Sequence, residues 1–222
     1  MPRPATEHKL IMEANPASPI SEAYRNLKTS IHFSKWNEDL QVIAVTSTLP
    51  GEGKTTTISN LAVSYAQEGK KVLLIDADMR HPSIHRNFAL PNKRGLSNAL
   101  ANQLTVSEVI QESAIEHLSV ITAGPIPPNP AELLSSPQLS AMIEHLKEQY
   151  DIILFDTPPA LAVSDGVIVA TLCNGVLLVV QVGKVKYQLV KKTKAKLEHA
   201  NAPLLGVVLN NQKKRKAEFH YD

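Results

Sequence analysis

The sequence predicts an α/β fold in which a mostly parallel sheet is flanked by helices on both faces. Three observations predict it. Short, solidly aliphatic runs such as Val72–Ile75 and Ile152–Phe155 imply strands buried on both faces. Stretches with helical spacing separate those runs, as crossovers between parallel strands require. Three runs lead directly into chemistry-bearing residues, at Ser47–Thr56, Asp76–Arg80 and Asp156–Pro159, which gathers them at one sheet edge.

Taken in order, residues 1–17 are Pro-rich and aperiodic and read as an extended N-terminal arm. Residues 18–211 form the domain, and residues 212–222 a flexible C-terminal tail. Ser18-Pro19 starts a helix in which Ile20, Ala23, Leu27 and Ile31 recur at helical spacing. Glu22, Arg25 and Lys28 fall roughly opposite that stripe, taking about 100° per residue. Gln41–Thr46 is the first strand, and Thr55–Glu68 a helix closed by Gly69. Val72–Ile75 is a strand, Val106–Glu112 a short helix and Leu118–Thr122 a strand. A proline-rich loop holds Pro125, Pro127, Pro128 and Pro130, and Pro137–Gln149 is a helix after it. Ile152–Phe155, Val176–Val182 and Leu204–Leu209 complete the strands, with a helix over Lys186–His199. There is no internal repeat and no sign of a second domain.

The bulk numbers fit that reading. The chain of 222 residues suits one domain with a substantial core, and a net charge of +2 demands no acidic partner. A single cysteine, Cys173, excludes an internal disulfide and fits a reducing cytoplasm, where it is a small buried hydrophobe. The start shows no secretory pattern. Gly166–Gly183 is uncharged and about long enough to cross a bilayer, but Asn174-Gly175 splits it. A buried helix, a turn and a β-branched strand account for it better.

The phosphate chemistry is local. In Pro50-Gly51-Glu52-Gly53-Lys54-Thr55-Thr56 the glycines let backbone N–H groups close on phosphate oxygens and adopt positive φ. Lys54 would reach β- and γ-phosphates, the Thr55 hydroxyl would ligate magnesium, and the helix start faces the anion. The usual first glycine of such a loop falls at Thr48. Alternation sends Asp76 and Asp78 to one side, toward the γ-phosphate. There Asp76 would take a proton from an acceptor hydroxyl, and Asp78 would hold a magnesium-bound water. Asp156 ends another strand, where a carboxylate orients the metal. A lone strand-end aspartate reads more readily as a helix cap or loop hydrogen bond; three beside a phosphate loop reverse that. Together these features predict a magnesium–nucleotide site on a P-loop sheet. His81 and His85 are spaced as a metal pair, but Pro82 interrupts the helix they would need, so they read as loop residues.

Thr46–Thr55, Leu73–Arg80 and Ile153–Pro159 resemble the three nucleotide motifs of bacterial tyrosine kinases, a P-loop family. Gly124–Leu134 also resembles a loop of that family, and the likeness runs from about Ser18 to Asn211. The resemblance implies an ATP- and Mg2+-dependent kinase with Lys54 on phosphate, Thr55 on magnesium, Asp76 as base, and Asp78 and Asp156 supporting the metal. Septum-site and partition ATPases share the fold but carry an extra lysine near the loop's start, where this chain has Leu49. A partition-type ATPase and an ATP-bound regulatory subunit of a polysaccharide export complex remain the alternatives.

The resemblance further implies a ring-forming motif, Glu-x-x-Arg-x-x-Arg, matched here by Glu22, Arg25 and Lys28 with Lys28 in place of the last arginine. Family members end in tyrosine clusters phosphorylated in trans; this chain offers Tyr221 as phosphoacceptor. The expected partners are tyrosine-bearing proteins and a membrane-embedded activator that recruits a cytoplasmic enzyme to the inner face of the membrane. The expected pathway is exopolysaccharide or capsule synthesis. Lysines from Lys184 to Lys196, and again from Lys213 to Lys216, read first as a solvated helix and tail. Contact with anionic lipid or an acidic partner is the other reading. Aromatic residues do not interleave with them, so nucleic acid is not an expected partner. Asn210, at the end of the last strand, is the candidate contact to the adenine base.

Overall fold

In the computed structural model the described residues are 10–34 and 40–211. Among them the helices are α1 (Ile11–Ala14), α2 (Pro19–Ser34), α3 (Lys54–Ala66), α4 (Ile84–Asn87), α5 (Leu96–Leu100), α6 (Val106–Val109), α7 (Pro130–Leu134), α8 (Pro137–Lys147), α9 (Asp165–Thr171) and α10 (Tyr187–His199). The strands are β1 (Val42–Ser47), β2 (Val72–Asp76), β3 (Ile110–Glu112), β4 (Leu118–Ile121), β5 (Ile152–Asp156), β6 (Gly175–Gln181) and β7 (Leu204–Asn210). They form one sheet in the order β3-β4-β2-β5-β1-β6-β7. Every pairing is parallel except β3 with β4.

Side-chain alternation divides the core between the two faces. Val42 and Ala44 of β1 join Leu73, Ile75 and Phe155 in the cluster that takes in α8 and α9. Ile43 and Val45 join Leu74, Leu154 and the apolar side of α3 in the other. Strands β1 and β2 are buried along their whole length, which is why they read as unbroken apolar runs. Cys173 is buried, as its context suggested, and burial pushes its thiol pKa up. No helix among the described residues is long and apolar enough to cross a membrane. The uncharged Gly166–Gly183 stretch is α9, a turn and β6.

The structure differs from expectation at three places. Ile11–Ala14 is a helical turn with Leu10 and Met12 buried, not part of an extended arm. The Met12 N–H donates to Asn60 Oδ1 at 3.1 Å, pinning this segment to α3. Residues 1–9 and the tail 212–222, with Tyr221, lie outside the described residues. Val106–Glu112 is not one helix: α6 ends at Val109, and Ile110–Glu112 turns to pair antiparallel with β4.

The third difference concerns α2. Its buried stripe holds Ser21, Lys28 and Ile31, while Ile20 is 58 % exposed and Ala23 is also exposed. Ser21 takes the inward place, its hydroxyl donating to the Asn15 carbonyl at 2.7 Å. Lys28 therefore does not share an exposed face with Glu22 and Arg25. It is 8 % exposed and its amine pairs with Glu68 while its stem packs inside. Glu22 and Arg25 stay outside, paired at 2.8 Å.

Candidate active site

Strands β1, β2 and β5 are neighbours, so their C-terminal ends bring all three motifs together. Asp76 stands level with Asp156 in the β2–β5 register. Between β1 and α3 the loop turns through Gly51 at φ 74° and Gly53 at φ 92°, the left-handed region that glycine adopts without strain. A Cβ on Gly53 would come within 2.0 Å of Asn210 Nδ2, so only glycine lets the loop close against β7.

Lys54 opens α3, and its amine lies 2.8 Å from Asp78 Oδ2 and 3.7 Å from Asp156 Oδ1. The Thr55 hydroxyl donates to Asp156 Oδ2 at 2.6 Å. Asp76 accepts N–H groups from Ser83 and Ile84 at 3.0 Å each and from Asp78 at 3.2 Å, which fixes its carboxylate. All three carboxylates are buried.

Burial sets their proton affinities. Desolvation and the facing Asp156 raise the Asp76 pKa to about 8, against the pull of the Ile84 and Ser83 N–H groups and of Lys54. Asp156 is raised as well, by burial, with Lys54 and Thr55 opposing. For Lys54, burial alone would lower the pKa, but Asp156, Asp78 and Asp76 outweigh it and the net shift is upward. The site is thus an acidic pocket with one cation inside.

Asp156 Oδ1 is buried and has no hydrogen-bond partner. Such an orphaned oxygen beside the Thr55 hydroxyl and Asp78 fits a hard divalent cation with oxygen ligands. Among the described residues no group of three or more His, Cys, Asp or Glu could hold a metal alone. Magnesium takes few protein ligands and completes its shell with water and phosphate. His81 lies in the loop before α4 and His85 within α4.

Several contacts were not legible in the motifs. The Glu52 carboxylate is buried and accepts the Leu49 N–H at 2.6 Å and the Gln181 N–H at 3.0 Å. It ties the loop to β6 instead of facing the anion. Asn210 Nδ2 donates to the Glu52 carbonyl at 2.8 Å, and the Lys184 amine donates to the Pro50 and Gly51 carbonyls at 3.2 and 3.1 Å. Glu52→Ala would leave two backbone donors of this strut without their acceptor. It is expected to weaken ATP binding about tenfold by isothermal titration and to lower the melting temperature. Arg80 forms a two-pronged contact with buried Asp165, at 2.7 and 3.2 Å, joining the loop after β2 to the start of α9. A buried acid beginning an uncharged stretch was the available signal, since it requires a partner.

Comparison with known proteins agrees with this geometry. A family model described as "AAA domain" matches residues 40–202. The chain is 42 % identical over 216 residues to the tyrosine-protein kinase YwqD of Bacillus subtilis, covering 97 % of this chain and 91 % of the relative. It superposes on the kinase domain of the Escherichia coli tyrosine kinase ETK with a TM-score of 0.89 and 35 % identity, covering 99 % of this chain and 88 % of that one. The chimerical protein CapA2B2 gives the same TM-score of 0.89 at 42 % identity, covering 92 % of this chain and 90 % of that chain. The cell division ATPase MinD of Pyrococcus furiosus, at 24 % identity and a TM-score of 0.68, shares the fold alone. The three motifs on one P-loop sheet and these relatives over nearly the whole chain place it in the bacterial tyrosine-protein kinase family.

Proposed function

We propose that the chain transfers the γ-phosphoryl group of ATP to tyrosine hydroxyls in line, with Lys54 as its phosphate-binding cation. The observation that supports this most is the Lys54 amine, held between Asp78 and Asp156 at the mouth of the glycine loop. In the nucleotide complex Lys54 would exchange those carboxylates for β- and γ-phosphate oxygens, without further cost of ordering. Loop N–H groups from Gly51 to Thr56 would surround the β-phosphate. Thr55, Asp78 and Asp156 would hold magnesium, which neutralises charge on the phosphate oxygens. Asp76, fixed by three N–H groups, would accept the proton of the attacking tyrosine in its ionised form, which bound magnesium would favour over the protonated form that burial favours in the nucleotide-free site. Asn210, at the rim of the loop, would contact the base.

The acceptor, partners and pathway follow from family membership. Tyr221 would be the main autophosphorylation site, phosphorylated by a neighbouring copy. A membrane-embedded activator would recruit the enzyme to the inner face of the membrane and couple it to exopolysaccharide or capsule synthesis. The purified chain, with labelled ATP, magnesium and a candidate activator, is expected to yield phosphotyrosine that maps to Tyr221. Phosphate release without phosphotyrosine would instead indicate a partition-type ATPase, and nucleotide binding without either a regulatory subunit.

A homo-oligomeric ring through α2 would now rest on Glu22 and Arg25, since Lys28 is turned inward. Arg25→Glu is expected to reduce the particle mass by light scattering at least twofold at micromolar concentration. An unchanged mass would remove this face from the interface.

A further inference from the structure

Helix α10 presents a face that phosphate transfer does not use. Between Val182 and Leu209 the chain carries six lysines and a single acid, Glu198. Lys196 turns inward, its amine 2.7 Å from the Ala160 carbonyl. The other five lysines are exposed. Glu198 is already paired with Lys194 at 2.9 Å. Lys186, Lys191 and Lys192 form no ion pair with a carboxylate among the described residues, while the Lys184 amine is held by the Pro50 and Gly51 carbonyls.

Apolar surface lies on the same side. Tyr187 is 74 % exposed, with the Lys191 amine 5.8 Å from its ring centre. On the edge strand β7, Val207 and Leu209 are 48 % and 56 % exposed. The register pairs them with Leu178 and Val180, which alternate with Leu177 and Val179 of the opposite core. They therefore point to the sheet face covered by α10, whose Leu197 packs in the cluster of Val176.

We propose that this face docks directly on an anionic bilayer surface, the lysines meeting headgroups while Tyr187, Val207 and Leu209 enter the interfacial layer. Charge complementarity selects that occupant. The face is cationic along a whole helix, its one acid is neutralised, and an aromatic ring sits among the lysines, the composition of an interfacial surface. Docking would also orient the active site. The Thr193 hydroxyl lies 3.2 Å from that of Thr48 at the base of the phosphate loop, and Lys196 holds the loop after β5. The helix that meets the membrane is therefore attached to the phosphate loop and to the segment that follows the third motif. Binding to lipid needs no turnover, so it stands or falls separately from the kinase reading.

The test is sedimentation of the full chain with vesicles of phosphatidylcholine containing about a third phosphatidylserine, and with pure phosphatidylcholine. Binding is expected only to the anionic vesicles, and to weaken as salt is raised. Lys191→Glu with Lys192→Glu is expected to lower the partition coefficient at least about tenfold. The matching Lys→Gln pair, which places no like charges along the helix, should lower it severalfold, as should Leu209→Ser. Circular dichroism and phosphate transfer in solution should match the parent for each variant. The proposal is overturned if the parent ignores anionic vesicles, or if both helix pairs bind as the parent does. It is equally overturned if neutralising Lys213, Lys214, Arg215 and Lys216 alone removes all binding. Retention on poly-glutamate beads without vesicle binding would assign the face to an acidic protein instead.

Discussion

Replacing Lys54 by methionine is expected to lower tyrosine phosphorylation at least about a thousandfold, the scale of removing a cation aimed at transferring phosphate. The reason lies in the nucleotide-free geometry. Three buried carboxylates surround one amine, so the site already holds the cation in place before phosphate arrives. Methionine keeps most of the volume but leaves Asp78 and Asp156 facing each other without a counter-charge. The variant should therefore also lose stability, and lose more of it at pH 8 than at pH 6, where Asp76 and Asp156, both raised by burial, more readily take up protons. Initial rates with labelled ATP and urea denaturation at both pH values check the two parts. Activity within tenfold of the parent would take Lys54 out of the phosphate site.

Asp76→Asn should separate catalysis from stability. The rate is expected to fall about 10²–10⁴-fold, the usual contribution of a positioned proton acceptor. Stability of the nucleotide-free protein should move the other way. The Asp76 pKa rises from 3.8 to about 8 in the folded chain, so the folded state binds the extra proton. Stability from this group is therefore greatest below the ordinary value and is lost as pH rises from about 4 toward 8. An asparagine cannot ionise, so the variant should show a shallower decline across that window. Thermal melts from pH 5 to pH 8 read the difference directly. A decline as steep as the parent's would mean that Asp76 is not the group held protonated.

Both predictions concern residues that were visible in the sequence, and the reason is local. Gly51-Glu52-Gly53-Lys54-Thr55 specifies its own backbone, and the aspartates follow apolar runs too short for anything but strands. What escaped depends on tertiary context. Helices α4, α5 and α7 have four or five residues, fewer than two turns, so no periodicity could mark them. Strand β3 has three residues and exists because β4 offers an edge. On α2 the apolar stripe misplaced Lys28, whose stem is buried while its charge is met by Glu68, a partner 40 residues away. Glu52 lay inside the recognised loop, yet its carboxylate faces β6, a contact made by residues 129 apart in the chain.

The distribution of charge follows from what the site must do. Folding alone would not place Asp76, Asp78 and Asp156 together in a buried pocket, because each charge loses its water there. The Asp156 oxygen without a hydrogen bond and the raised Asp76 affinity fit the proposed completion of the site by a cation and phosphate. Magnesium–ATP should accordingly raise the melting temperature more at pH 8 than at pH 6.

Phosphate leaving ATP in this pocket is expected to arrive on tyrosine. A single-turnover reaction with γ-labelled ATP, excess of the chain and a candidate activator, quenched over time, reads that partition. Label is expected to appear on tyrosine as ATP disappears, with free phosphate a minor product and both lost in Lys54→Met. Label recovered as free phosphate throughout, with none on tyrosine, would contradict it.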